Sequence, residues 1–395
     1  MESVTHAAWS MRWRHFLINS LAFALCYPLA NLLAQRQNIT RHIAFSFESA
    51  IPFLPWMIIP YLSSGIFFAL SFAWMRGKDD LRVLSQRMLL ATISASLIFS
   101  LYPLQFSMQK PAIDAPLFST LFNFLSLVDR PYNQLPSLHV AFCVIIWQSL
   151  QGSFKSLPAR GALTIWLALV ALATVFTYQH HLLDIVTGFL LGLCAILLVR
   201  RNRAQTNVAF HYLMGAGIVL LVGVFAMHSL AAVYLMLSLL LVGLAYLRED
   251  RYFLHKNGGR FPLWTWLLYA PYLLGYRLTW CYVRFRERRR PPFVQVTEWL
   301  WVGRRLTRGE AGHLPEHCVV IDLANELSET SSLRSHAYWH FPLLDLLAPD
   351  PAAIAVIVGL MIRETGNGRP VYLHCAMGYS RSTFIAKRYL EKIGK

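Results

Sequence analysis

The sequence predicts a multi-domain protein: a polytopic α-helical membrane bundle of about eight spans, followed by a cytoplasmic α/β domain. Three observations carry that prediction. Apolar runs of bilayer-crossing length recur through the first two-thirds of a 395-residue chain that is 56% hydrophobic and 14% charged, with a mean hydropathy of +0.44. Basic residues gather in alternate gaps between those runs. Near the C-terminus the apolar runs shorten to strand length and frame a Cys-x5-Arg motif. These shifts divide the chain into a membrane domain over 1–250, an interfacial aromatic segment with a basic linker over 251–292, and a globular domain over 293–395.

The spans read near 15–35, 54–75, 88–106, 137–152, 161–179, 182–199, 208–228 and 229–247. Arg12 and Arg14 precede the first, but no small-residue cleavage site follows, so it reads as a retained anchor rather than a signal peptide. Arg76, Lys78, Arg82 and Arg87 lie between spans two and three, and Lys155 and Arg160 between four and five. Arg200, Arg201 and Arg203 follow span six, and Arg248, Arg251, Lys256 and Arg260 follow span eight. If all eight cross, the four clusters share one face. The positive-inside rule makes that face cytoplasmic and puts both termini inside. Arg36, Arg41, Lys110 and Arg130 fall on the other side.

Residues 261–283 are apolar enough to cross, yet a crossing there would carry the C-terminal domain outside. The segment holds Trp264, Trp266, Tyr269, Tyr272, Tyr276, Trp280 and Tyr282, with prolines at 262 and 271. That aromatic load suits a helix or hairpin at headgroup level. The basic stretch 284–290, closed by Pro291 and Pro292, suits an anionic membrane surface. The formal net charge of +16 is mostly accounted for by this linker and the cytoplasmic loops, so the predicted partner is a membrane surface and not nucleic acid. Six scattered cysteines without a Cys-x-x-C pair do not make a disulfide framework. No cofactor motif and no metal-ligand cluster stands out.

The C-terminal motif reads His374-Cys375-Ala376-Met377-Gly378-Tyr379-Ser380-Arg381-Ser382. The apolar run before it predicts a strand, and 380–395 predicts a helix. Gly378 lets the loop turn its N–H groups inward, and with the helix N-terminus they form an anion cradle that favours a thiolate. Arg381 offers a planar fork to two phosphate oxygens. This is the chemistry of phosphate-monoester cleavage through a phosphocysteine. The residues resemble the signature of the dual-specificity branch of the protein tyrosine phosphatase superfamily, over about the last hundred residues. The resemblance makes 295–304 the opening strand pair and 318–323 a buried central strand. It implies that Asp345 protonates the leaving oxygen, that Ser382 helps the thiolate leave, and that His374 holds the loop. Relatives add at least one more helix after the one following the arginine. Part of this core is therefore expected to be exposed or covered by the aromatic segment.

Two motifs lie among the spans. Pro136-Ser137-Leu138-His139 opens the fourth, and His180-His181-Leu182-Leu183-Asp184 opens the sixth. The spacing of four puts His180 and Asp184 on one helical face, and the topology puts His139 and His180 at the outer surface. The pattern resembles the type 2 phosphatidic acid phosphatase superfamily over 104–192, nearest the branch of inositolphosphotransferases and sphingolipid synthases. The resemblance implies that His180 attacks phosphorus, Asp184 supports it, His139 protonates the leaving alcohol and Arg130 binds substrate. Asn123 stands where the fuller pattern has lysine, and Ala173 and Thr174 stand where it has Ser-Arg. Two phosphate-binding cations are thus replaced, which favours transfer or a weakened site.

The predicted function is a membrane phosphatase or phosphotransferase acting on a phospholipid or other phosphomonoester, with an outer histidine site and a cytoplasmic cysteine site. The resemblance implies a bacterial inner membrane. The alternative is a membrane-anchored signalling protein phosphatase whose helices only bind lipid. Uncharged Ala376, Met377, Tyr379 and Ser380 point to a singly phosphorylated substrate.

Overall fold

The computed structural model describes residues 7–75, 77–200 and 204–394; Arg76, Arg201 and Arg203, used above for orientation, lie outside them. The chain forms two compact units, Met1–Arg203 with Met214–Met236, and Ala204–Leu213 with Leu237–Lys395.

The first unit is helical. It contains α1 (Trp9–Arg36), α2 (Ile58–Trp74), α3 (Lys78–Leu101), α4 (Pro116–Val128), α5 (Leu138–Leu150), α6 (Leu157–Phe176) and α7 (Leu182–Leu198). α8 (Ala204–Val219), continued by a π-helical segment Leu220–Ala226, and α9 (Leu230–Leu247) are divided between the units. Among the described residues, six helical segments are long and apolar enough to cross a membrane: Trp9–Arg36, Pro55–Trp74, Lys78–Leu101, Leu157–Phe176, Val208–Ala226 and Leu230–Leu247. The chain is a multi-pass membrane protein with six candidate spans. The remaining two spans read from sequence are α5 and α7, of 13 and 17 residues. At 1.5 Å per residue both are shorter than a hydrocarbon core of ~30 Å. α4 occupies a stretch to which the sequence reading assigned no element.

α3 is the hub. Two-thirds of its apolar window is buried, against 22–33% for the other five, and it has the lowest mean hydropathy of the six at 1.4. Leu81, Leu84, Met88, Ala91 and Phe99 lie in the core where α3 packs against α1, α5 and α7, while Ser85, Gln86, Thr92 and Ser96 are also buried. Asn19 of α1 donates to Ser85 Oγ at 2.8 Å. Arg87 is no solvated loop charge: its guanidinium donates to the carbonyls of Val199 and Ile196, capping the end of α7. α7 closes on α5 through two glycines one turn apart. A Cβ on Gly188 would lie 2.3 Å from the Ser137 carbonyl oxygen, and one on Gly192 would lie 2.8 Å from Val144 Cβ.

The second unit continues through α10 (Leu263–Arg286) into β1 (Phe293–Thr297), β2 (Leu300–Arg304), α11 (Arg308–Ala311), β3 (Val319–Ala324), α12 (Ser331–Arg334), β4 (Ala337–Leu343), α13 (Pro351–Gly366), β5 (Val371–Cys375) and α14 (Arg381–Lys392). The sheet order is β1-β2-β5-β3-β4, with β1 antiparallel to β2 and the other pairs parallel. Both faces are covered, which is why 319–324 reads as an unbroken apolar run interrupted only by Asp322. Ile357, Met361, Ile385 and Tyr389 of α13 and α14 bury one face, and Leu306, Leu314 and Leu333 the other.

α10 is kinked at Tyr269 (φ −119, ψ 15), two residues before Pro271. Its aromatic residues do not all point outward, as headgroup anchoring would have them do. Tyr272 and Trp280 turn into the unit while Leu267, Leu274, Leu278 and Phe285 stay exposed. The polar tips explain this: the Tyr276 hydroxyl donates to Asp345 Oδ2 and Trp280 Nε1–H to the Arg305 carbonyl, both at 3.0 Å. Lys256 likewise departs from the loop-charge reading. Its side chain is fully buried, donating to Asp322 Oδ2 at 2.6 Å and to the Ala324 carbonyl at 2.7 Å.

Candidate functional site

In the first unit, the start of α7 gathers the histidine cluster. His180 lies two residues before the helix begins, so its contact with Asp184 is not the helical stacking that the spacing predicts. Asp184 instead closes the helix N-terminus: its Oδ2 accepts the His181 backbone N–H at 2.9 Å and lies 3.3 Å from His180 Nδ1. The His180 N–H donates to the Thr174 carbonyl, fixing the turn out of α6. His139, on the first turn of α5, brings its ring within 6.0 Å of the His180 ring, centre to centre. The two helix starts are tied by the Ser137 N–H donating to the Asp184 carbonyl at 2.9 Å. Tyr61 of α2 also lies against His139, ring centres 4.5 Å apart. His139 also edges an apolar recess of about 190 Å³ lined by Phe23, Tyr27, Phe68 and Phe142.

The sequence reading missed the support of this cluster. His181 Nδ1 is 2.7 Å from Glu48 Oε2, both groups buried, and its ring stacks on Phe106 at 4.4 Å. A lone carboxylate in an aromatic loop between two spans was the available signal. Arg130 is exposed; its backbone N–H donates to Asp129, whose carboxylate accepts from Tyr27 at 3.1 Å. Asn123 is exposed on α4 and Ala173 is buried.

In the second unit, Cys375 ends β5 between two parallel neighbours, where the carboxyl ends of a parallel sheet open. Gly378 has φ +81, and its N–H donates to Cys375 Sγ at 3.3 Å. A Cβ there would lie 3.0 Å from Arg304 N, so this turn admits glycine on both counts. Ser382 Oγ lies 3.3 Å from the sulfur and 3.2 Å from the Gly303 carbonyl. Arg381 is buried, donating to both oxygens of Glu326 (2.9 and 3.1 Å) and to the Leu343 carbonyl (2.8 Å), with its Nε 3.4 Å from Asp345 Oδ1. Burial works against its charge, but the Glu326 and Asp345 carboxylates more than offset this and hold the guanidinium protonated. Asp345 comes from the loop after β4. Thus Cys375, Gly378, Arg381, Ser382 and Asp345 meet at one place.

His374 is buried behind them, stacked on Tyr372, with Nδ1 3.8 Å from Asp322 and Nε2 3.4 Å from Glu329. Among the described residues this trio is close enough for a metal ion. The carboxylates face opposite nitrogens of the ring, however, and Lys256 already engages Asp322. The arrangement is a buried cluster in which Lys256 pairs with Asp322 and the His374 ring lies between Asp322 and Glu329. Burial alone would raise the Asp322 pKa, but Lys256, His374 and His340 pull it well below the usual carboxylate range. Sequence reasoning also missed Glu326 and Tyr276. Glu326 had a signal, a polar cluster directly after a buried strand; Tyr276 was hidden among other aromatic residues.

Residues 85–207 match the PAP2 superfamily model, a wider stretch than the 104–192 read from motifs, holding His139, His180 and Asp184 together. Members of that superfamily are phosphatases or phosphotransferases. No curated protein and no solved structure matches the chain. Residues 85–207 are a PAP2 superfamily domain within a multi-pass membrane protein.

Proposed function

We propose that the chain is a two-site enzyme of lipid phosphate metabolism, a PAP2-type phosphatase or phosphotransferase joined to a cysteine phosphatase. The domains are the 1–250 membrane part, with α5 and α7 completing eight crossings, the 251–292 connector and the 293–395 catalytic domain. The observation that carries the histidine reading is the approach of His139 to His180 with Asp184 on the latter's Nδ1, inside the PAP2 match. His180 Nε2 attacks phosphorus, Asp184 steadies the positive ring, and His139 gives a proton to the departing alcohol. Water or a second lipid alcohol then takes the phosphoryl group.

The cysteine reading rests on five groups converging at the end of β5. The Cys375 thiolate attacks phosphorus while Arg381 and the loop N–H groups hold the equatorial oxygens. Asp345 donates its proton to the leaving oxygen, then takes one from the water that releases phosphate. Ser382 stabilises the departing sulfur. The exposed leucines of α10 and the arginines at 284, 286 and 288–290 favour an anionic bilayer surface as the partner. The proposed location is a bacterial inner membrane, with both termini and the cysteine domain cytoplasmic.

The test is lipid profiling with phosphate release for wild type, His180→Ala and Cys375→Ser. Each substitution should abolish a different part of the turnover. Unchanged lipid turnover in His180→Ala would leave the signalling phosphatase, with helices that only bind lipid. Reporter fusions after Lys256 and after Arg290 should both be cytoplasmic, and an external result after Arg290 would overturn the orientation.

A further inference from the structure

The second unit carries a contact that the chemistry of Cys375, Arg381 and Asp345 does not require. The Asp345 loop has two anchors on α10. Leu344 is buried among Tyr269, Tyr272 and Leu273, and Asp345 Oδ2 accepts the Tyr276 hydroxyl at 3.0 Å. On its other side the loop is open, with Leu346 exposed at φ +62. Asp345 Oδ1 faces Arg381 Nε at 3.4 Å. A bound phosphate would claim that nitrogen, leaving Tyr276 as the remaining hold on the carboxyl group.

We propose that Tyr276 is the positioning residue for Asp345, fixing Oδ2 as acceptor so that Oδ1 is the oxygen that carries the proton to the leaving group. This rests on the cysteine-phosphatase reading. When the proton leaves Oδ1, charge develops on the carboxylate and the Tyr276 O–H···Oδ2 bond becomes charge-assisted. The bond is therefore stronger in the transition state than before it, which is the condition for accelerating the step. Burial, with Glu326 close by, raises the Tyr276 pKa, so its hydroxyl stays a donor across the working pH range. The donor is also rigidly mounted. Tyr276 packs on Tyr272 (5.0 Å between ring centres), Tyr272 on Tyr212 of α8 (5.9 Å), and Tyr212 on Tyr246 of α9 (5.6 Å). The acid is thus oriented by a line of rings ending on two candidate spans, not by the sheet that holds the nucleophile.

The experiment uses the full chain in detergent with His180→Ala throughout, so that only the cysteine site turns over. Two substrates are compared: p-nitrophenyl phosphate, whose leaving group needs little protonation, and n-octyl phosphate, whose alkoxide needs it. Tyr276→Phe should lower kcat on n-octyl phosphate roughly tenfold and on p-nitrophenyl phosphate less than about twofold, the size expected for one hydrogen bond to a charged group. In an Asp345→Asn background the same substitution should cost nothing more. Equal losses on both substrates, no loss on the alkyl ester, or an undiminished loss with Asp345→Asn would each overturn the proposal. Alkyl phosphatase activity that survives Cys375→Ser would instead remove the underlying cysteine reading.

Discussion

Gly188 of α7 lies so near Ser137 of the α5 entry that a methyl group on its Cα would sit 2.3 Å from the Ser137 carbonyl oxygen. That approach sets the spacing of the two histidine-bearing helix starts. Gly188→Ala must push α7 away from α5, at a cost of roughly 1–3 kcal/mol for an overpacked contact. Histidine-site turnover should fall more than about tenfold, because small misplacements of reacting groups are expensive. Gly161→Ala in α6, where a Cβ meets nothing within 4 Å, is the control and should leave both turnover and melting unchanged. Lipid phosphate release and thermal unfolding in detergent check both.

Cys375→Ser and Arg381→Ala should each abolish hydrolysis of an aryl phosphate by the cysteine site. Asp345→Ala should damage alkyl phosphate turnover more than aryl, because only the poor leaving group depends on the proton. Chelators should have no effect, since the Lys256 ammonium already neutralises Asp322 beside His374. Loss of activity with chelator would show that the trio of Asp322, Glu329 and His374 holds a metal ion.

Acid should destabilise the second unit in two windows. Burial pushes the His340 imidazole down to about 4, against the pull of Asp322. The unfolded chain, with a histidine near its ordinary value, binds the proton first, so this contribution is full above ~6.5 and is lost as pH falls towards 4. Burial would raise Glu310, but Arg304 and the Thr307 N–H bring its carboxyl down to about 2. Its contribution is full above ~4.5 and fades below. Unfolding midpoints from tryptophan fluorescence should drop between pH 6.5 and 4, and His340→Gln should flatten that drop. Glu310→Gln should flatten only the lower window.

An isolated 291–395 fragment should be marginal and aggregate. It loses Trp280, which packs on Ala324, Leu327 and Ala376, and it loses Lys256, leaving Asp322 buried without its cation. A 251–395 fragment retains both and should unfold at a higher temperature. A cooperative, fully active 291–395 fragment would show that α10 is dispensable.

The sequence displayed most of the local structure of the site and little of its support. Apolar length gave the six candidate spans and the strand before Cys375, and the family resemblance gave the strands within 295–304 and 318–323, whereas β4 was not read. His139, His180, Cys375 and Arg381 were legible because their motifs are contiguous. Glu48 with His181, Glu326 with Arg381, Lys256 with Asp322 and Tyr276 with Asp345 are 55 to 133 residues apart. Nothing local marks such pairs. α5 and α7 form inside the apolar runs 137–152 and 182–199, but hydropathy measures apolar length and does not show that these helices are 13 and 17 residues long.

The hub position of α3 has a consequence for how the protein is made. It is the least hydropathic of the six candidate spans, carries Asp79 and Asp80 in its first turn, and holds its serines, threonine and glutamine against other helices. A segment of that kind partitions weakly into lipid when it leaves the translocon alone. Its buried Ser85 finds a hydrogen-bond donor in Asn19 of α1. α3 therefore enters the bilayer stably as part of an assembly with α1, which is synthesised first, and the order of translation becomes part of the folding code.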